Sequence, residues 1–159
     1  MAFRQRVTGP VGGSVTARFL VTQINDTSLA LWADTVRGVL TPNEMGAAQE
    51  VTLLGDTYRA TDMARRLGLL RLPTSVETRF VLCQRGQGRC VVSVDRVIGL
   101  MDIRRDRIQQ MSPLFAGAER VWLRGVFVYD ERMAVVINPD WLVHDLEATT
   151  PVLQPARAA

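Results

Sequence analysis

A 23-residue segment occurs twice in this chain, and the repetition limits the folds open to it more than any other feature. Sliding the sequence by 61 positions (79 minus 18) lays residues 18–40 over residues 79–101 without a gap. Arg18/Arg79, Phe19/Phe80, Gln23/Gln84, Asp34/Asp95, Val36/Val97 and Gly38/Gly99 are identical, and most other pairs keep their class, as Leu31/Val92 and Leu40/Met101 do. Each copy has an apolar run, a polar turn (residues 25–28 and 85–88), a second apolar run, and then Asp-x-Val-x-Gly-apolar. Apolar strand, polar turn and apolar strand is the signature of a β-hairpin. A repeated hairpin predicts two related modules within one domain. Gly38 and Gly99, held in register, are expected where a side chain would obstruct the backbone's conformation or its close approach to a neighbour.

The length of 159 residues suits one ordinary domain, or two very small modules sharing a core. Hydrophobic content of 47% and charged content of 22% are those of a folded globular chain. All 19 cationic side chains are arginine, and a net charge of +3 is too diffuse to argue for nucleic-acid binding. The first residues lack the pattern of a targeting signal. No apolar run approaches the roughly 18 residues that span a bilayer. The expectation is a cytoplasmic protein without direct membrane insertion.

Taken in order, residues 1–16 read as a flexible leader, broken by Pro10 and Gly12-Gly13. The first hairpin follows, and Thr41-Pro42-Asn43 marks a turn. Residues 51–62 read as two strands around a tight turn at Gly55-Asp56. Asp62 is a good N-cap for a short helix ending before Gly68. The second module opens at about residue 76 on the repeated hairpin. Residues 102–110 read as a solvated loop or edge strand. A further hairpin turns at residues 130–132, and Asn138-Pro139 starts a helix through about Glu147 that brings Trp141 and Leu142 to the core. Residues 148–159 read as a disordered tail. Both halves therefore carry hairpin, strand pair and short helix. The expected fold is mainly β: small closed barrels, with subdomain one over about 17–75 and subdomain two over about 76–147, packed on each other in a single domain 17–147.

The residues do not assemble a catalytic set. His144, the only histidine, stands beside Asp145 on a predicted helix, where a surface role outweighs a general base. One histidine with Cys83 and Cys90 is too few for a metal site. The two cysteines sit on facing arms of the second hairpin, and in the cytosol they read as reduced, buried, small apolar side chains. Asp34 and Asp95 stand at the same turn of their modules, which argues for capping of backbone N–H groups rather than a carboxylate pair. No glycine cluster has the lysine of a phosphate loop. The expected protein is not an enzyme and holds no cofactor or metal.

The duplicated Asp-x-Val-x-Gly segments, Leu53-Leu54-Gly55, residues 62–69, residues 90–100 and Leu123-Arg124-Gly125-Val126 together resemble the CheW-like coupling domain of bacterial chemotaxis, over about residues 17–146. The resemblance implies two SH3-like five-stranded β-barrels sharing a hydrophobic core. It also implies a non-catalytic adaptor joining the cytoplasmic tips of methyl-accepting chemoreceptors to the regulatory domain of a CheA-type histidine kinase, at membrane-associated receptor arrays. Other CheW-like domains are further partners by the same likeness. Carried over by position, Val36, Gly38, Leu54 and Gly55 fall to the first barrel's contact surfaces, and Val94, Asp95, Val97 and Arg124 to the second's. Three departures lie in the first module. Leu54 stands where the family carries arginine, Ala60-Thr61 replaces proline-valine, and the connection from Val36 to Gly55 is several residues short. They imply a specialised coupling protein that binds only some of the usual partners or serves surface motility. The competing reading is a small β-barrel module binding RNA or a small ligand. It requires exposed aromatics on a basic face, whereas Trp32, Trp122 and Trp141 sit among apolar neighbours.

Overall fold

The computed structural model describes residues 15–110 and 119–144. The predicted tail, the leader up to residue 14 and the last turn of the final helix lie outside the described residues. Eleven strands are described: β1 Thr16–Ile24, β2 Thr27–Trp32, β3 Val36–Leu40, β4 Glu50–Leu53, β5 Asp56–Thr61, β6 Arg79–Arg85, β7 Gly88–Val94, β8 Arg96–Arg104, β9 Gln109–Gln110, β10 Leu123–Tyr129 and β11 Arg132–Ile137. The short helices are α1 Pro42–Met45, α2 Met63–Leu67, α3 Glu119–Trp122 and α4 Pro139–His144.

The strands form two sheets, ordered β8-β1-β2-β11-β10-β9 (barrel I) and β3-β6-β7-β5-β4 (barrel II). This corrects the expectation that each half of the sequence closes its own barrel. The third strand of each repeat crosses over: β3 pairs with β6, and β8 pairs with β1. The exchange is reciprocal to the residue. Val36 lies opposite Cys83 and Gly38 opposite Leu82, while Val97 lies opposite Thr22 and Gly99 opposite Val21. Each crossing strand carries one extra residue between those pairs, Arg37 in β3 and Ile98 in β8, and 37 and 98 are related by the repeat's own offset. A bulge of this kind bends its strand and strengthens the local twist, as closing a small barrel requires. Gly38 shows that closure in barrel II: a Cβ there would lie 3.9 Å from Leu53 Cδ2, although β3 and β4 are at opposite ends of the sheet order.

Strands β1, β2, β6 and β7 are apolar on both faces because both faces are buried. Phe19, Val21 and Ala30 point into barrel I with Phe127, Ala134 and Val136. Leu82 and Val91 point into barrel II with Met45 and Tyr58. The opposite faces meet in a third cluster between the barrels. There Leu20, Ile24, Leu29 and Leu31 pack against Val81, Cys83, Cys90, Val92 and Val94, together with α2 and α4. Burying one such large side chain contributes roughly 1.5–3 kcal/mol, so this shared cluster is what fixes one barrel against the other.

The caps of α2 and α4 form as the residues predict. Asp62 accepts a hydrogen bond from the Arg65 N–H at 3.1 Å, and Gly68 closes α2 in the left-handed conformation. Asn138 Oδ1 accepts from the Asp140 N–H at 3.0 Å, with Pro139 in the first position of α4. The predicted turn at Thr41-Pro42-Asn43 is instead the start of α1. Thr41 and Glu44 form a reciprocal capping box, each side chain accepting from the other's backbone N–H.

Arg66, only 6% exposed, ties the helices of the two halves together. Its guanidinium donates to the carbonyls of Trp141 (3.0 Å) and Leu142 (3.2 Å), with its carbon 3.9 Å from the centre of the Trp141 ring. Both carbonyls lie near the end of α4, where the helix's own ladder runs out, and the Leu142 carbonyl also accepts from the Cys90 thiol at 3.6 Å.

Candidate functional site

The eight residues singled out in the sequence do not converge on one site. Val94 is 1% exposed and belongs to the shared core, so its side chain is closed to a partner. Val36 and Val97 are half-buried at the rim of the same core, on β3 and β8. Because those strands exchange, Val36, Gly38, Leu54, Gly55 and Val94 all lie in barrel II, and Val97 and Arg124 in barrel I. The expected allocation of Val94 to the second barrel's own strands therefore gives way to the crossed topology.

Asp95 is the best-placed polar residue of the set. Its carboxylate accepts from the Asn25 N–H, and its own N–H donates to the Gln23 carbonyl at 2.9 Å. Arg96 Nε donates to Gln23 Oε1 at 2.8 Å. The hairpin of one half is thus held to the β7–β8 bend of the other. The Asn25 N–H bond makes Asp95 the cap expected of it. Asp34 is different: it sits in a single 3-10 turn, residues 33–35, and its carboxylate has no such bond among the described residues. Beside Asp95 opens a cleft of about 490 Å³, whose other wall is the connecting segment with Leu72, Pro73 and Thr78.

Leu54 and Gly55 form the two-residue turn between β4 and β5. Both have positive φ, 53° and 87°, the left-handed pair typical of a tight hairpin turn. Asparagine or glycine suits the first position; leucine is strained there. Leu54 is also 94% exposed, the most exposed large apolar side chain described. Packing therefore does not account for it. Arg124 is the extra residue of a third bulge, between the pairs Leu123–Ile137 and Gly125–Val136, and it points to solvent. Gly125 beside it is needed for a close approach, since a Cβ there would lie 2.7 Å from the Gln109 carbonyl oxygen.

The titratable groups are arranged for structure. Cys83 and Cys90 are direct cross-strand partners, fully buried, and both thiols are free. The hydrogen bond with Cys90, and then burial, push the Cys83 thiol well above its ordinary value, so the reactive thiolate is disfavoured. His144 is exposed and rests on the β6–β7 turn, where a Cβ on Gly88 would meet its ring at 2.8 Å. Among the described residues, no group of three or more His, Cys, Asp or Glu side chains could hold a metal ion. No described helix is long and apolar enough to cross a membrane. Trp141 is buried as expected, while Trp32 and Trp122 are half-buried.

Two exchanged barrels around a common core, with tight hairpin turns at their ends, define a two-lobed β domain. The family model of the CheW-like domain matches residues 18–147, and the chain belongs to that family. The fold is that of a solved relative, the scaffolding protein TtCheW from Thermoanaerobacter tengcongensis. That structure superposes with a TM-score of 0.69 at 16% identity, over 82% of this chain and 89% of the other. A comparison with curated protein sequences finds no match.

Proposed function

We propose that this protein is a non-catalytic chemotaxis-type adaptor that couples methyl-accepting chemoreceptors to a CheA-type histidine kinase in cytoplasmic, receptor-associated arrays, and that it is selective among the usual partners. The observation that carries the reading is the family match across both barrels, residues 18–147, which takes in the shared core and every crossing strand. Val36, Gly38, Asp95 and Val97, on or beside the crossing strands, are proposed to face the receptor tip. Leu54-Gly55 and Arg124, in the β4–β5 turn and the β10 bulge, are proposed to meet kinase regulatory domains or other CheW-like domains.

Selectivity rests on Leu54. Where the family pattern carries arginine, an exposed leucine cannot supply a charge-assisted hydrogen bond, worth roughly 1.5–3 kcal/mol. Calorimetry of the wild type against the cognate kinase's regulatory domain and a receptor cytoplasmic fragment tests coupling itself; binding to neither would sink the proposal. Leu54→Arg is expected to raise affinity for the kinase domain by about tenfold or more. Tight wild-type binding through this turn with no gain from arginine would overturn the selectivity. Leu54→Asn serves as the control, because it relieves the left-handed strain and should stabilise the fold by about 1 kcal/mol in denaturant melts.

A further inference from the structure

The second hairpins of the two barrels, β4–β5 and β10–β11, are equivalent: each runs antiparallel within itself and lies parallel to the second strand of a repeat hairpin. An offset of 76 (130 minus 54) relates them, taking the turn Leu54-Gly55 onto Asp130-Glu131. All four turn residues have positive φ, and Asp130 and Glu131 lie at 45° and 62°. The cross-strand pairs facing away from the barrels can therefore be compared one for one. In barrel II they are Thr52–Thr57, with the two hydroxyl oxygens 3.3 Å apart, and Glu50–Arg59. In barrel I they are Val128–Met133 and Val126–Val135.

A sheet face turned to water is ordinarily polar, and barrel II follows the rule. Barrel I breaks it at all four positions. Val128 is 69% and Met133 60% exposed, and Val135 carries the stripe inward to the shared core. Beside Met133 and Val135 is a hollow of about 340 Å³, lined also by Asp26, Thr27, Ser28 and Arg132. Asp26 lines the hollow and Asp130-Glu131 form the turn of this hairpin, with Arg132 beside them. Three negative charges beside an apolar stripe favour an occupant that brings positive charge with its apolar side chain.

We propose that the outer face of β10–β11 is a docking surface for a segment of another protein that presents a large apolar side chain beside an arginine or lysine. The apolar group seats against Val128 and Met133, and the cation meets the Asp130-Glu131 turn. The Leu54 turn belongs to the other barrel, so loss of kinase coupling there leaves this surface unaffected. Arg124, which shares strand β10 with it, is kept unchanged in every variant below, so that failure at one contact is distinguishable from failure at the other.

Two synthetic amphipathic helical peptides test it, one with a leucine face flanked by arginines and one with the same face flanked by glutamates. Methyl NMR of the full chain should show saturable shifts at Val128, Met133 and Val135 with the arginine peptide alone. Val128→Thr/Met133→Thr gives this face the pair that barrel II already carries, so the melting temperature should hold. Binding should weaken about tenfold or more. Asp130→Asn/Glu131→Gly should weaken it and reduce its salt dependence. Equal shifts with both peptides, shifts centred elsewhere, or undiminished binding by the double-threonine variant would overturn the proposal. So would dimerisation of the free chain that is lost in that variant, which would give the face to a second copy. Protection of Met133 that disappears on removing residues 145–159 would give it to the chain's own tail.

Discussion

Strands β3 and β8 are related by the repeat, enter the opposite barrel in the same register and carry their bulges at the same step, yet their local surroundings differ at nearly every point. Gly99 in β8 has a φ of +153°, which side chains rarely adopt, whereas Gly38 in β3 has an ordinary backbone and room for a Cβ. Asp95 ahead of β8 is bonded to the Asn25 N–H, and Asp34 ahead of β3 has no counterpart to that bond among the described residues. At its far end β8 runs on to Arg104 and pairs Asp102 with Arg18, while β3 stops at Leu40. Register thus follows from the apolar pattern and the bulge. Local polar and glycine chemistry does not determine it, and it has diverged.

The sharpest way to break this comparison is at the glycines. Gly99→Val should cost about 2 kcal/mol through forced backbone strain, and Gly38→Val should stay within about 0.5 kcal/mol. Equal denaturant midpoints for the two variants would show that φ at position 99 is unimportant. The aspartates come next. Asp95→Ala leaves a part-buried N–H without its charged acceptor and should cost about 1.5 kcal/mol; Asp34→Ala should leave the melting curve unmoved. Comparable losses would mean that both turns are capped in solution. The smallest effect belongs to Arg18–Asp102. The hydrogen bond from the Arg18 guanidinium holds the Asp102 carboxyl below its ordinary range. A depressed folded value gives stability that is present above the unfolded value and fades as pH falls through the folded one. Both side chains are more than half exposed, so solvent screening keeps the effect small. The difference in melting temperature between wild type and Asp102→Asn should therefore be slight at neutral pH and vanish in acid; a difference that grows in acid would refute it.

Much of the fold was legible because its signals are local. Alternating runs, Asp62 with Gly68, and Asn138 with Pro139 each act within a few residues. The Thr41-Pro42-Asn43-Glu44 capping box carries the same kind of signal, but the proline invites a reading as a turn. The strand exchange was not legible. Val36 pairs with Cys83 by long-range complementarity, and an apolar run such as Val91-Val92 does not announce which face meets which barrel. The binding surfaces were half legible. Leu54 stands out as a departure from the family pattern, but its exposure and left-handed backbone are set by the β4–β5 pairing, which no local signal announces. Val126, Val128, Met133 and Val135 read as ordinary strand residues until their equivalents in barrel II showed what that face holds when it is left to water.

The crossing of β3 and β8 also governs the order in which the protein can be made. Barrel I cannot close until β8 to β11 have been synthesised, although its first two strands leave the ribosome well before them. The early hairpin must wait, with its apolar faces uncovered, for a partner strand whose residues lie 73 to 88 positions downstream (Gln23 to Arg96, Thr16 to Arg104). Each half is therefore an incomplete template for the other. A chain cut in the connecting segment near residue 73 should yield two fragments that remain unfolded alone and assemble when mixed.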